Sequence, residues 1–71
     1  MNLGELSKLT PRELEVVTMV ASSMNTKEIA AELQISDRTV EHHRQSIRKK
    51  LDLKDAAAFT RFAIKNNLIE L

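Results

Sequence analysis

Between Arg38 and Lys49 the chain presents guanidinium, carboxylate, imidazole, amide and ammonium groups in quick succession. Arg38, His42, Gln45 and Lys49 follow one another by four, three and four residues, with Glu41 and Arg48 beside them. That is the spacing of one face of an α-helix. At about 100° per residue, Val40, Ile47 and Leu51 fall within roughly 40° of one another on the opposite face. A polar ladder therefore points away from an apolar seam. A helix fits the major groove of B-DNA, and these groups match what base edges offer: Arg suits guanine, Gln adenine and Glu cytosine. A solvated surface helix also collects Lys, Arg and Gln, so the ladder alone leaves that plainer reading open.

Other chemistries find less support. The chain has no cysteine and no tyrosine, and its single glycine excludes a glycine-rich phosphate loop. Thiolate catalysis, disulfides and cysteine-based zinc sites go with the cysteines. No carboxylate pair is placed against a histidine, so no catalytic residue is expected and the chain does not read as an enzyme. Glu41, His42 and His43 are adjacent, and neighbours on a helix point about 100° apart, which prevents joint chelation of one ion. Neither a metal nor another cofactor nor a small-molecule substrate is expected. His43 borders the apolar seam, and a hydrogen-bonded packing histidine is the better reading of it than a DNA contact.

The net charge of +1 conceals a local asymmetry. Residues 1–35 hold three Lys/Arg and five Asp/Glu, residues 36–50 five and two, and residues 51–71 three and three. Phosphate affinity depends on local positive charge, and only the middle segment has it.

The elements that must position this segment are helices. One proline and one glycine in 71 residues leave long uninterrupted stretches whose apolar residues recur at three and four. The length allows one domain, residues 1–71, burying roughly 60% of its unfolded surface. With 42% apolar and 30% charged residues, the composition is that of a globular protein. No apolar run approaches membrane-crossing length, and the opening MNLGELSKL lacks the features of a signal peptide, so a cytoplasmic location is expected. Thr10-Pro11-Arg12-Glu13 combines a capping hydroxyl, proline at the first helical position and a glutamate that can reach back to the cap. It opens a helix over about 11–23, with Leu14, Val17, Val20, Ala21 and Met24 on its apolar face and Leu9 as a staple. Asn25-Thr26-Lys27-Glu28 forms a second box, opening 26–33 on Ile29, Ala30 and Leu33. Ser36 caps 37–51. The fourth helix, about 55–66, carries Phe59 and Phe62 and ends at Asn66-Asn67, after which Leu68, Ile69 and Leu71 fold back. The fold class is all-α, with four helices.

The second and third helices have helix-turn-helix spacing. Ala30, small enough to allow a close crossing, stands ten residues before Val40, which can pack beneath it. Gln34 sits where such turns often use glycine, and a positive φ is expected there. The chain resembles the LuxR-type DNA-binding domain from Leu9 to Ile69, through LTPRE (9–13), KEIA (27–30), the run from Ile35 to His43, and KKL (49–51). The wording SDRTVEHHR is closest to the FixJ/NarL-like response-regulator branch. The resemblance implies a tetrahelical domain whose third helix enters the major groove of double-stranded DNA. Glu41, His42 and Gln45 would read bases, while Thr26, Lys27, Arg38, Thr39, Arg48 and Lys49 would meet the backbone. It also implies a homodimer through the fourth helix, at Ala57, Thr60, Arg61 and Ile64, contact with RNA polymerase, and residence at the bacterial nucleoid. Family members usually carry glycine where Ser23 and Asp52 stand, so both helix ends are expected to be less favourable.

Two other readings stand beside this one. The low net charge suits a helical protein-interaction module that contacts polymerase or a receiver domain. A sigma region-four-like promoter binder is related, but would be more basic and lacks the LTPRE opening. Phe59 and Phe62 can complete a monomer core or serve a dimer.

Overall fold

Residue types at Thr10–Glu13 dictate where the central helix begins. In the computed structural model, which describes residues 3–70, the Thr10 hydroxyl accepts from the Glu13 backbone N–H at 3.1 Å, and Glu13 Oε1 accepts from the Thr10 N–H at 2.9 Å. With Pro11 at the first helical position, no amide there is left wanting an intrahelical partner. The description covers five helices: α1 (Leu3–Leu6), α2 (Pro11–Ala21), α3 (Thr26–Leu33), α4 (Asp37–Leu51) and α5 (Ala56–Lys65). Asn25, Ser36 and Asp55 cap α3, α4 and α5 in turn, each through a side-chain oxygen accepting from the backbone three residues on. Asn25 and Glu28 close the second reciprocal box.

The four longer helices are those the sequence implies, with α2 ending two residues short of the predicted Ser23 and Asp55 acting as the cap of α5 rather than its first residue. The single turn α1 is additional. One turn is too short to show periodicity; the Glu5–Lys65 ion pair, at 3.7 Å, ties it to α5, and Leu6 packs against the core.

A common device ends all four long helices. Ser23, Gln34, Asp52 and Asn67 adopt left-handed backbone, with φ of 69°, 57°, 55° and 61°. In each case the following N–H reaches back five residues: Met24 to Met19 O, Ile35 to Ala30 O, Leu53 to Arg48 O and Leu68 to Ala63 O. This is the Schellman arrangement, normally served by glycine. The residues after the reversal, Met24, Ile35, Leu53 and Leu68, are apolar and pack against the core. The expected positive φ at Gln34, the glycine-like roles of Ser23 and Asp52, and the turn at Asn67 are all present. Leu71 lies outside the described residues.

α2 is the centre of the molecule, packed on α4 and α5, while α3 lies across α4. Val16, Val17, Ile29, Val40, Ile47, Phe59 and Ala63 are wholly inaccessible to solvent. The sequence-based face of α2 omits Val16. Helices on two sides of α2 bury a wider arc than a single apolar stripe, which is why Val16 is enclosed while Leu14 and Met24 are only half-buried. Both phenylalanines belong to the monomer core, which decides that alternative. Leu51 seals the end of α4 from a half-buried position.

Holding a residue with a Cβ in left-handed backbone costs about 1–2 kcal/mol, against about 0.4–1 kcal/mol of extra unfolded-chain freedom when glycine replaces it. Ser23→Gly and Gln34→Gly are each expected to raise unfolding free energy in urea by about 0.5–1 kcal/mol. Asn67→Gly should gain less, since asparagine already tolerates this conformation. Equal gains at all three sites would contradict the explanation.

Candidate nucleic-acid interface

The polar face of α4 can act only if the helix is seated at a fixed depth and rotation. Its inward face buries Val40 and Ile47, and a polar clasp adds direction to that packing. Glu13, 3% exposed, uses Oε1 to close its capping box and also to accept from Lys50 Nζ at 2.7 Å. Its Oε2 accepts from Ser46 Oγ at 2.7 Å. One carboxylate thus joins the start of α2 to two successive turns of α4. Burial pushes its pKa up, but the hydrogen bonds from Lys50, the Thr10 backbone and Ser46, with the charge of Lys50, outweigh this and lower it from 4.5 to about 2.

On the other side of α4, the Arg44 guanidinium lies 5.9 Å from the centre of the Phe59 ring, a cation–π contact with α5. Arg44 and Lys50 therefore face neighbouring helices. Of the basic residues between 36 and 50, Arg38, Arg48 and Lys49 remain for the outer side, so the positive stripe is narrower than the sequence count suggests.

Those outer residues come together as the spacing implies. Arg38, Glu41, His42 and Gln45 line one open depression of about 300 Å³, and His42, Gln45, Ser46 and Lys49 line the next, of about 210 Å³. The two share His42 and Gln45, so the ladder is continuous. Glu41, His42, Gln45, Arg38, Thr39 and Lys49 are exposed, and Arg48 is half-buried with its Nε enclosed. Lys27 is exposed at the first turn of α3. Thr39 shares a 2.8 Å hydroxyl hydrogen bond with Ser36 at the start of α4. Thr26 differs from these: its Oγ1 donates to Glu41 Oε1 at 2.5 Å, tying α3 directly to α4.

His43 is half-buried, as its place beside the seam implies, and meets His42 edge-on with ring centroids 6.3 Å apart. It does not have the hydrogen bond expected of it: none reaches its ring among the described residues. On α5, Ala57 and Arg61 are exposed, while Thr60 and Ile64 are half-buried along the same strip. Thr60 donates to Ala56 O at 3.2 Å.

Sequence reading misses the clasp. It sees Glu13 as a capping residue, and nothing local marks partners 33 and 37 positions away. The Thr26–Glu41 bond, across 15 positions, is missed for the same reason.

A capped short helix, a left-handed turn at Gln34 and a long helix with a buried seam and a polar outer ladder define a helix-turn-helix. The chain belongs to the bacterial regulatory proteins of the luxR family, which it matches over residues 7–63. It is thus a DNA-binding domain of the transcription-regulator class. Among similar proteins, the oxygen regulatory protein NreC of Staphylococcus haemolyticus and that of Staphylococcus carnosus are each 39% identical over 62 residues, covering 87% of this chain and 29% of theirs. NreC of Staphylococcus aureus is 40% identical over the same length and shares. The chain thus spans less than a third of these relatives. No helix among the described residues is long and apolar enough to cross a membrane.

Glu13→Gln keeps an oxygen for the capping box but removes the charge and one of the two acceptor oxygens, so it loosens the clasp while sparing the cap. The folded carboxyl resists protonation down to about pH 2, whereas the unfolded chain takes up its proton near 4.5. Its contribution is therefore complete above about pH 4.5 and disappears as pH falls toward 2. Integrated over that window, it amounts to about 3 kcal/mol. Urea titrations at pH 7 should show the variant less stable by about 2 kcal/mol, with a weaker acid dependence between pH 5 and 2. Parallel pH curves for the two proteins would rule out this role for Glu13.

Proposed function

We propose that this domain inserts α4 into the major groove of double-stranded DNA and reads a specific sequence, as the output domain of a two-component response regulator of the FixJ/NarL-like branch or as a stand-alone equivalent. The observation that carries this reading is the continuous exposed ladder on α4, opposite a seam that is fully buried at Val40 and Ile47. Glu41, His42 and Gln45 occupy its middle and read bases. Lys27, Arg38, Thr39, Arg48 and Lys49 lie around them and meet phosphates. α5 is seated mainly on α2, and its strip at Ala57, Thr60, Arg61 and Ile64 is free to pair with a second copy, giving a twofold dimer on two half-sites. The bound dimer contacts RNA polymerase, and the site of action is the bacterial cytoplasm, at the nucleoid.

Salt titration of binding tests the electrostatic part. With about four to eight phosphates neutralised, log K should fall against log salt with a slope of roughly −4 to −7, and a flat curve would favour the protein-interaction module instead. Gln45→Ala should relax base preference at one position, by about 1–3 kcal/mol of discrimination, whereas Lys49→Ala should weaken all sequences alike. Identical behaviour of the two variants would defeat the division of roles. For the dimer, sedimentation should show two copies on operator DNA, and a single copy would refute pairing through α5.

A further inference from the structure

We infer that Thr26 is a positioning residue for base readout rather than a phosphate contact, and that it sets the carboxylate of Glu41 on the reading face of α4. The inference rests on the assignment of Glu41 as a base reader. A threonine hydroxyl has one proton to donate. Thr26 Oγ1 donates its proton to Glu41 Oε1 at 2.5 Å, at the short end of the range for a hydroxyl on a carboxylate. A phosphate oxygen only accepts, so the same hydroxyl cannot serve both partners.

The surroundings make the pairing directional. Thr26 is half-buried at the first position of α3, where its backbone is fixed by the Asn25–Glu28 capping box. Glu41 is exposed on a long flexible side chain and gains orientation from a partner that cannot move. Oε1 is turned toward α3. Oε2 carries no hydrogen bond among the described residues and is left to accept from a base-edge amino group, of the kind cytosine presents in the major groove. The bond also connects the two helices of the motif at the end of α3 far from the turn at Gln34, so the reading group is referenced to both helices.

The test uses the full 71-residue chain and the DNA that the unaltered protein selects from a random pool. Binding is measured to that sequence and to every single-base variant of it. Glu41→Gln locates the base pair that Glu41 reads. Thr26→Val should reduce discrimination at that same base pair by about three- to tenfold, the net worth of one typical solvent-exposed hydrogen bond. It should leave the salt slope and the affinity for unrelated DNA unchanged, and Thr26→Ser, which keeps the hydroxyl, should restore discrimination. In the Glu41→Gln background Thr26→Val should have much less effect. Uniform loss of affinity across all sequences, unrelated DNA included, would mean that Thr26 holds a phosphate, and would overturn the inference while leaving the reading of Glu41 intact. No change of preference with Glu41→Gln would instead overturn the assignment of Glu41, and this inference with it. Circular dichroism of each variant separates these outcomes from loss of folding.

Discussion

The placement of α4 depends on a buried negative charge. Apolar packing of Val40 and Ile47 brings the helix to the core, but hydrophobic contact has little direction, and an apolar seam tolerates sliding and rotation more readily than hydrogen bonds do. Glu13 supplies direction because its two oxygens are fixed by the start of α2 and reach Ser46 and Lys50, one turn apart on α4. Enclosing a carboxylate would be unfavourable if any of these partners were missing. The lowered pKa reports that they are sufficient. Since Gln45 and Lys49 each immediately precede a clasped residue, the clasp also fixes the angle at which the outer ladder is displayed.

The same economy appears at the helix ends. A domain of this size has few residues to spend on connections, and each reversal here occupies one left-handed residue followed by an apolar one that returns to the core. Serine, glutamine, aspartate and asparagine hold these positions, while the chain's one glycine, Gly4, has a negative φ. The apolar residues after the turns make the strain tolerable: burying Met24, Ile35, Leu53 and Leu68, even partly, outweighs about 1–2 kcal/mol of local strain at each turn. Asp52 carries a second penalty, a negative charge at a helix C-terminus, which Arg48, Lys49 and Lys50 in the same last turn offset.

Much of this was legible in the sequence because it is local. Caps at Thr10, Asn25 and Ser36, proline at position 11 and the spacing of Val40 and Ile47 all act within a turn or two, where residue type determines geometry. The positive φ at Gln34 was legible for the same reason. What was not legible is tertiary. A glutamate at the third position of a helix looks the same whether its second oxygen faces water or Ser46. Arg44 and Lys50 read as part of a basic stripe until the fold turns them toward Phe59 and Glu13. Sequence counting therefore overstates the charge available to DNA, and α1 escapes notice because one turn has no period.

Fewer outward charges need not weaken a reader of sequence. Phosphate contacts raise affinity for every duplex equally, so each added lysine favours the specific site and the rest of the genome alike. Discrimination comes from groups whose position is fixed before contact, because a mobile side chain loses rotamer freedom on binding and adapts to the wrong base as well as the right one. Here the paired cations, Arg44 on Phe59 and Lys50 on Glu13, are given over to fixing α4, and Thr26 is given over to fixing Glu41. The domain therefore gives up some general attraction for DNA, and the residues withdrawn from it hold the reading face still.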